Sequence, residues 1–183
     1  MIPTKRLLMR RWQASDRAPF AQLNADPRVM KHFPAPLERS ASDALADQIE
    51  AWMAINGWGF WAVELQASGE LIGFVGLNPG LAALPFAPCV EIGWRLAFAH
   101  WGRGYAQEGA HAALAFGFDK LELEEIVAFT ALSNRRSQVL MQRIGMQEDI
   151  ASRFNHPLLT ADSPLRAHCL YRKSAGIVGC NKR

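Results

Sequence analysis

Glu91 lies in the run CVEIGWRL, residues 89–96, as one acid in a largely apolar stretch. If the run is a strand, alternation places Cys89, Glu91, Gly93 and Arg95 on one face and Val90, Ile92, Trp94 and Leu96 on the other. Four residues of strand span about 13 Å, so Arg95 is too far along to pair with Glu91 directly. Two readings of Glu91 remain: a cross-strand ion pair, or a general base that takes a proton from an incoming nucleophile. Gly93 marks either a bulge or a place where another group approaches the backbone.

The run leads into HWGRGYAQEGA, residues 100–110. Two glycines around an arginine precede a helical stretch, and a helix start presents unpaired N–H donors at the positive end of its dipole. The amides of Gly102, Arg103, Gly104, Tyr105 and Ala106 would then cradle an anion such as a pyrophosphate; a plain tight turn is the alternative. No Gly-Lys-Ser/Thr follows, so this is not a Walker loop. Gln107 stands where a dinucleotide fingerprint has its third glycine, which argues against a nicotinamide-dependent oxidoreductase.

A third segment, NRRSQVLMQRIG at 134–145, sets Ser137 on the same helical stripe as Leu140, Met141 and Ile144. Its hydroxyl either bonds back to its own helix or faces a ligand at the helix start. Asn134 reads as the N-cap. His156 and His168 are structural or catalytic, and His156 falls in a segment that could serve the acceptor.

These residues need a scaffold, and the periodicities describe one. Strands are expected at 5–12, 59–65, 70–77, 89–96, 125–132 and 167–173. Helices are expected at 15–26, from Ser40 or Ser42 to Ile55, at 105–118 and at 134–145. The turn QASG at 66–69 makes a hairpin of the second and third strands. Small residues Ala106, Ala110, Ala113 and Gly117 let one helix press closely on a sheet. The order is α+β around a mixed, mostly antiparallel sheet, with a parallel strand–helix–strand crossover from 89 to 132. One domain over residues 1–174, followed by a loose tail at 175–183, accounts for the chain.

Half of the 183 residues are hydrophobic and the net charge is +3, a globular composition without a nucleic-acid footprint. Cys89, Cys169 and Cys180 have no metal-ligand spacing, and no metal site is expected. The start MIPTKRLLMRRW lacks the apolar region of a signal peptide, and no run is long enough to span a membrane. A cytoplasmic protein is expected.

Taken together, TKRLLMRRWQASDRAPFAQLNADPRVM, GFWAVE, LIGFVGL, VEIGWRL, HWGRGYAQEG, NRRSQVLMQRIGM, HPLL and LRAHCLYRK resemble the GNAT superfamily of acetyl-CoA-dependent N-acetyltransferases. The likeness is greatest to the branch that contains ribosomal-protein N-terminal (Rim-type) acetyltransferases and many uncharacterised relatives, and it covers roughly residues 4–174. It implies a GNAT fold, with acetyl-CoA as co-substrate and an amine acceptor, either a protein N-terminus or a small-molecule amine. The strand at 89–96 would splay from its parallel neighbour at 125–132. Pantetheine would pair with the exposed edge at Trp94, Arg95 and Leu96, and the pyrophosphate would sit on the loop from Trp101 to Ala106. Asn134 and Ser137 would attend the pantetheine arm and the thiol, and Glu91 the amine. Many members carry a tyrosine acid where this chain has Met141. A CoA thiol, with a pKa near that of cysteine at ~8.5, leaves tolerably unaided. The segments 28–40, 78–88 and 153–166 are expected to shape the acceptor pocket. A catalytically silent acyl-CoA sensor or interaction module is the alternative, and a homodimer is left open.

Overall fold

The alternating runs become strands β1 (Ile2–Pro3), β2 (Leu7–Arg10), β3 (Phe60–Leu65), β4 (Leu71–Pro79), β5 (Val90–Leu96), β6 (Glu125–Ala131), β7 (Gln147–Glu148), β8 (Phe154–Asn155) and β9 (Ala167–Ser174). The helices are α1 (Arg17–Ala25), α2 (Arg39–Asn56), α3 (Tyr105–Asp119) and α4 (Arg135–Arg143). The computed structural model describes residues 1–176. Most of the expected tail, including Cys180, lies outside the described residues. The strands form one mixed sheet in the order β1-β2-β3-β4-β5-β6-β9-β7, with β8 also on β9. The two-residue strands β1, β7 and β8 are too short to show any alternation and form by pairing to β2 and β9.

Every pair is antiparallel except β5–β6, which is parallel and held at a single register position, Glu91 opposite Val127. By contrast, β4 and β5 pair continuously from Gly73–Leu96 to Pro79–Val90. Past Glu91, therefore, β5 keeps one neighbour and turns its other edge to an opening.

The helices divide between the two faces of the sheet. Gly109 and Gly117 bring α3 onto the face of Val75, Leu77 and Ile126, where a β-carbon at Gly117 would collide with Ile126 and Leu77. On the other face Phe20 of α1 lies edge-on to Phe74 at 6.1 Å. Neither Ser40 nor Ser42 caps α2, which starts earlier, at Arg39, with Glu38 in the capping position. Buried inside its first turns, Ser42 accepts from Asn24 Nδ2 at 2.9 Å and ties α2 to α1. Gly93 makes no bulge: the ladder runs through it, and the Phe60 ring fills the space a side chain would need. The register shift falls instead at Val63/Glu64 of β3.

One buried ion network locks β2 into this arrangement. Arg10 grips Asp16 through two bonds of 2.7 and 2.9 Å and reaches Glu64 at 2.7 Å through Nε. Asp16 is 2% exposed, so losing its partner strands a carboxylate without water. Arg10→Met is expected to lower the free energy of unfolding by about 3–5 kcal/mol. Urea denaturation at pH 7 checks this, and a loss under about 1 kcal/mol would place the network among weak surface pairs.

Candidate active site

Where β5 leaves the sheet, the chain turns into the loop before α3 through two glycines in left-handed conformation, Gly102 at φ +75 and Gly104 at φ +80. A β-carbon at Gly102 would meet nothing, so the constraint there is the backbone angle rather than space. The first bond into α3 runs from Glu108 N–H to Gly104 O. Among the described residues the amides of Gly102 through Gln107 donate to no acceptor.

The loop is braced from several directions. Trp101 Nε1 donates to Leu96 O at 2.7 Å, closing the loop onto the strand end. Arg6 donates to Arg103 O at 2.9 Å and pairs with Glu108, which also accepts from Thr4 Oγ1. Arg103 is exposed, and the Arg136 guanidinium of α4 lies 5.2 Å from the Trp101 ring. The result is a cup of free amides with two cations near its rim, the chemistry of a phosphate receptor.

Across the opening, Asn134 caps α4 by accepting from Ser137 N–H. Its amide donates to Thr130 Oγ1 at 2.9 Å on β6 and to Ser137 Oγ at 3.0 Å. Ser137 Oγ therefore accepts a bond and keeps its own proton to give. Met141 is 2% exposed in the core and offers no acid.

Glu91 faces the α1/α2 side. The ion pair that the sequence allows is not formed: directly opposite on β4 stands Asn78, whose Nδ2 donates to Glu91 Oε1 at 3.2 Å. Burial pushes the carboxyl up to about 7, while the Asn78 bond pulls the other way. Beside it a cleft of about 130 Å³ is lined by Leu45, Gln48, Ile49 and Trp52 of α2 together with Phe60 and Asn78. Arg95, on the same face, donates to Asn24 Oδ1 at 2.7 Å, and burial pulls its guanidinium down to about 10.

The three segments expected around an acceptor do border this face. From the α1–α2 loop, Phe33 lies over Arg95, Arg28 over Phe98, and His32 Nδ1 sits 3.4 Å from Ser133 Oγ ahead of α4. Phe129 shares the face of Val127 and meets Phe86 and Phe154, each at 5.8 Å. His156 and His168 lie beside them with their rings 4.9 Å apart and tilted by 43°, both held below the usual imidazole pKa by burial.

Asn78, Arg136 and Arg6 are the neighbours sequence reasoning missed. Asn78 reads as a turn residue of NPG, and the contacts of the two arginines span the chain, so neither spacing nor periodicity signals them. Among the described residues no group of three or more His, Cys, Asp or Glu could hold a metal, and no helix is long and apolar enough to cross a membrane.

Known proteins match this architecture. A family described as "Acetyltransferase (GNAT) domain" matches residues 6–147. A protein of Bacillus subtilis named YkkB is 30% identical over 153 residues, covering 79% of this chain and 84% of that protein. An acetyltransferase of Agrobacterium tumefaciens is 29% identical with a TM-score of 0.76, covering 95% and 94% of the two chains. RimL, a ribosomal L7/L12 alpha-N-protein acetyltransferase in complex with coenzyme A, has a TM-score of 0.74 at 13% identity over 94% and 97%, a likeness of fold alone. The splayed strand pair, the loop of free amides behind it and this agreement over most of the chain make the protein a member of the GNAT acetyltransferase family, an acyltransferase of a family that uses acetyl-CoA as co-substrate.

Proposed function

We propose that this chain, as one domain over residues 1–174, moves the acetyl group of acetyl-CoA to a primary amine by direct attack in a ternary complex, in the manner of the Rim-type branch. The single observation that carries this reading is the one-register parallel pair, which opens between Glu91 and the amides of Gly102–Ala106. The amides of that cup, with Arg103 and Arg136 near its rim, hold the pyrophosphate, and Trp101 fixes the cup to the strand. The freed edge at Trp94, Arg95 and Leu96 pairs with the pantetheine arm as an added strand would. The co-substrate supplies an acetyl thioester.

Glu91 takes the proton of the amine, directly or through water. As the nitrogen bonds to the acetyl carbon, the carbon–sulfur bond breaks and its electron pair leaves on sulfur. An amide between Gly93 and Arg95 faces the carbonyl oxygen, and Ser137 donates to the departing thiolate. With Met141 buried, no side-chain acid is at that position, and the low basicity of a thiolate makes one dispensable.

Three outcomes follow from these assignments. Glu91→Gln should lower kcat by roughly 10²- to 10⁴-fold, with the calorimetric Kd for acetyl-CoA within about threefold of the parent; equal turnover in the two proteins from pH 6 to 9 would falsify the base assignment. Because the base must be ionised, kcat/KM reckoned on the concentration of neutral amine should climb tenfold per pH unit below a limb near 7 and level off above it, and Glu91→Gln should lack that limb. Asn78→Leu removes the bond that favours the ionised carboxyl, so the limb should move to higher pH; a limb that stays put or moves down excludes the contact as a tuning device.

A further inference from the structure

Arg95 is a largely buried cation that lacks a counter-ion. Its guanidinium is stacked 4.2 Å from the Phe33 ring and 5.4 Å from that of Phe74. Nη1 donates to the neutral amide oxygen of Asn24. Nε is buried with no acceptor, and Nη2 has none among the described residues. Arg10, Arg17 and Arg172 each bind two carboxylates, so this chain does pair its arginines elsewhere. An unpaired buried charge is strongly destabilising unless a ligand compensates it. Nε and Nη2 form one edge of the planar fork, the edge that matches the two oxygens of a carboxylate.

Trp52 makes a second, independent observation. Its Nε1 is buried without an acceptor, and the residue lines the cleft beside Asn78. Two donors without acceptors thus face the same side of the sheet as Glu91. The cleft lining contains no acid, and the wall of Phe86, Phe129, Phe154, His156 and His168 adds no negative charge. Such a surface suits a molecule rich in acceptors and disfavours a polycation. Glu91 and Arg95 stand at the two ends of one strip of β5, with Gly93 and the overlying Phe60 ring between them. Strand and side chain serve different directions here: the Arg95 peptide pairs with β4 opposite Phe74, while its guanidinium reaches to the α1/α2 side.

We propose that Arg95 receives a carboxylate of the acceptor, so that the substrate is a primary amine whose nitrogen meets Glu91 and whose carboxylate lies several bonds away, as in an amino acid with a long side chain. This rests on the acetyl-transfer reading above. The test measures CoA release from acetyl-CoA with the common amino acids, with their carboxamides and with spermidine as acceptors. For the preferred acceptor the carboxylate form should exceed its carboxamide in kcat/KM by roughly 10- to 100-fold, the strength of charged hydrogen bonds. Arg95→Gln should collapse that ratio toward unity, with the loss carried mainly by KM, and Arg95→Lys should restore part of it. Equal rates on carboxylate and carboxamide overturn the proposal, as does a preference for spermidine or a ratio untouched in Arg95→Gln. If Arg95→Gln does not fold, the paired substrates on the parent protein still decide. Calorimetric titration of the same sample with acetyl-CoA separates the two levels: binding without a carboxylate preference refutes this inference alone, and absence of binding refutes acetyl transfer with it.

Discussion

A single pair of residues, Glu91 on β5 and Val127 on β6, holds the two halves of the sheet together in parallel. Everything chemical in the molecule depends on that contact being so short. Strands β1 to β5 on one side and β6 to β9 on the other are each antiparallel units, interrupted only by the register shift at Val63/Glu64 among the described residues. A longer parallel ladder would close the edge of β5 and leave no unpaired backbone for a ligand to meet. A sheet cannot normally expose interior N–H and C=O groups without loss. Here the exposure is confined to the mouth of a cleft whose other borders are the starts of α3 and α4.

The opening also sorts the chemistry by face. On the α3/α4 side are free amides, Arg103 and Arg136, a region suited to negative charge. On the α1/α2 side are apolar rings, neutral imidazoles, one poorly solvated acid and one poorly solvated cation. Asn78 is the quiet component of this design. A lysine or arginine in its place would pair with Glu91 and hold the carboxyl ionised at low basicity, whereas a neutral amide leaves it near neutrality. The bracing of the phosphate-type loop by Thr4, Arg6 and Glu108 shows how the first strands, far away in sequence, fix the geometry of the cup.

Much of this was legible in the residues themselves. Alternation in CVEIGWRL, the glycine pair after it and the capping asparagine of NRRS are local signals, and local signals survive folding. The helix cores and the small-residue face of α3 follow from periodicity in the same way. Three features were not legible, each for a different reason. Gly93 left a bulge and a close approach to the backbone equally open, and only the Phe60 ring against it reveals that the second operates. Asn78 looked like a turn residue because its partner lies thirteen positions on in another strand. Strands β7 and β8 are two residues long, below the length at which a period can be seen.

The protonation of Glu91 reaches beyond the site to the fold as a whole. A carboxyl that titrates near 7 when folded and near its ordinary 4.5 when unfolded holds its proton more tightly in the native state. Native protein then binds more protons than unfolded chain between those values, and linkage requires stability to fall as pH rises through that window. Below about 4.5 both states are protonated at this position and the penalty vanishes; above 7 it is present in full. The conformation is thus most at ease where the base is idle, and the conditions that arm it are those under which this residue strains the native state. Robustness and readiness are set against each other at one side chain, and whatever fills the cleft beside it shifts that balance.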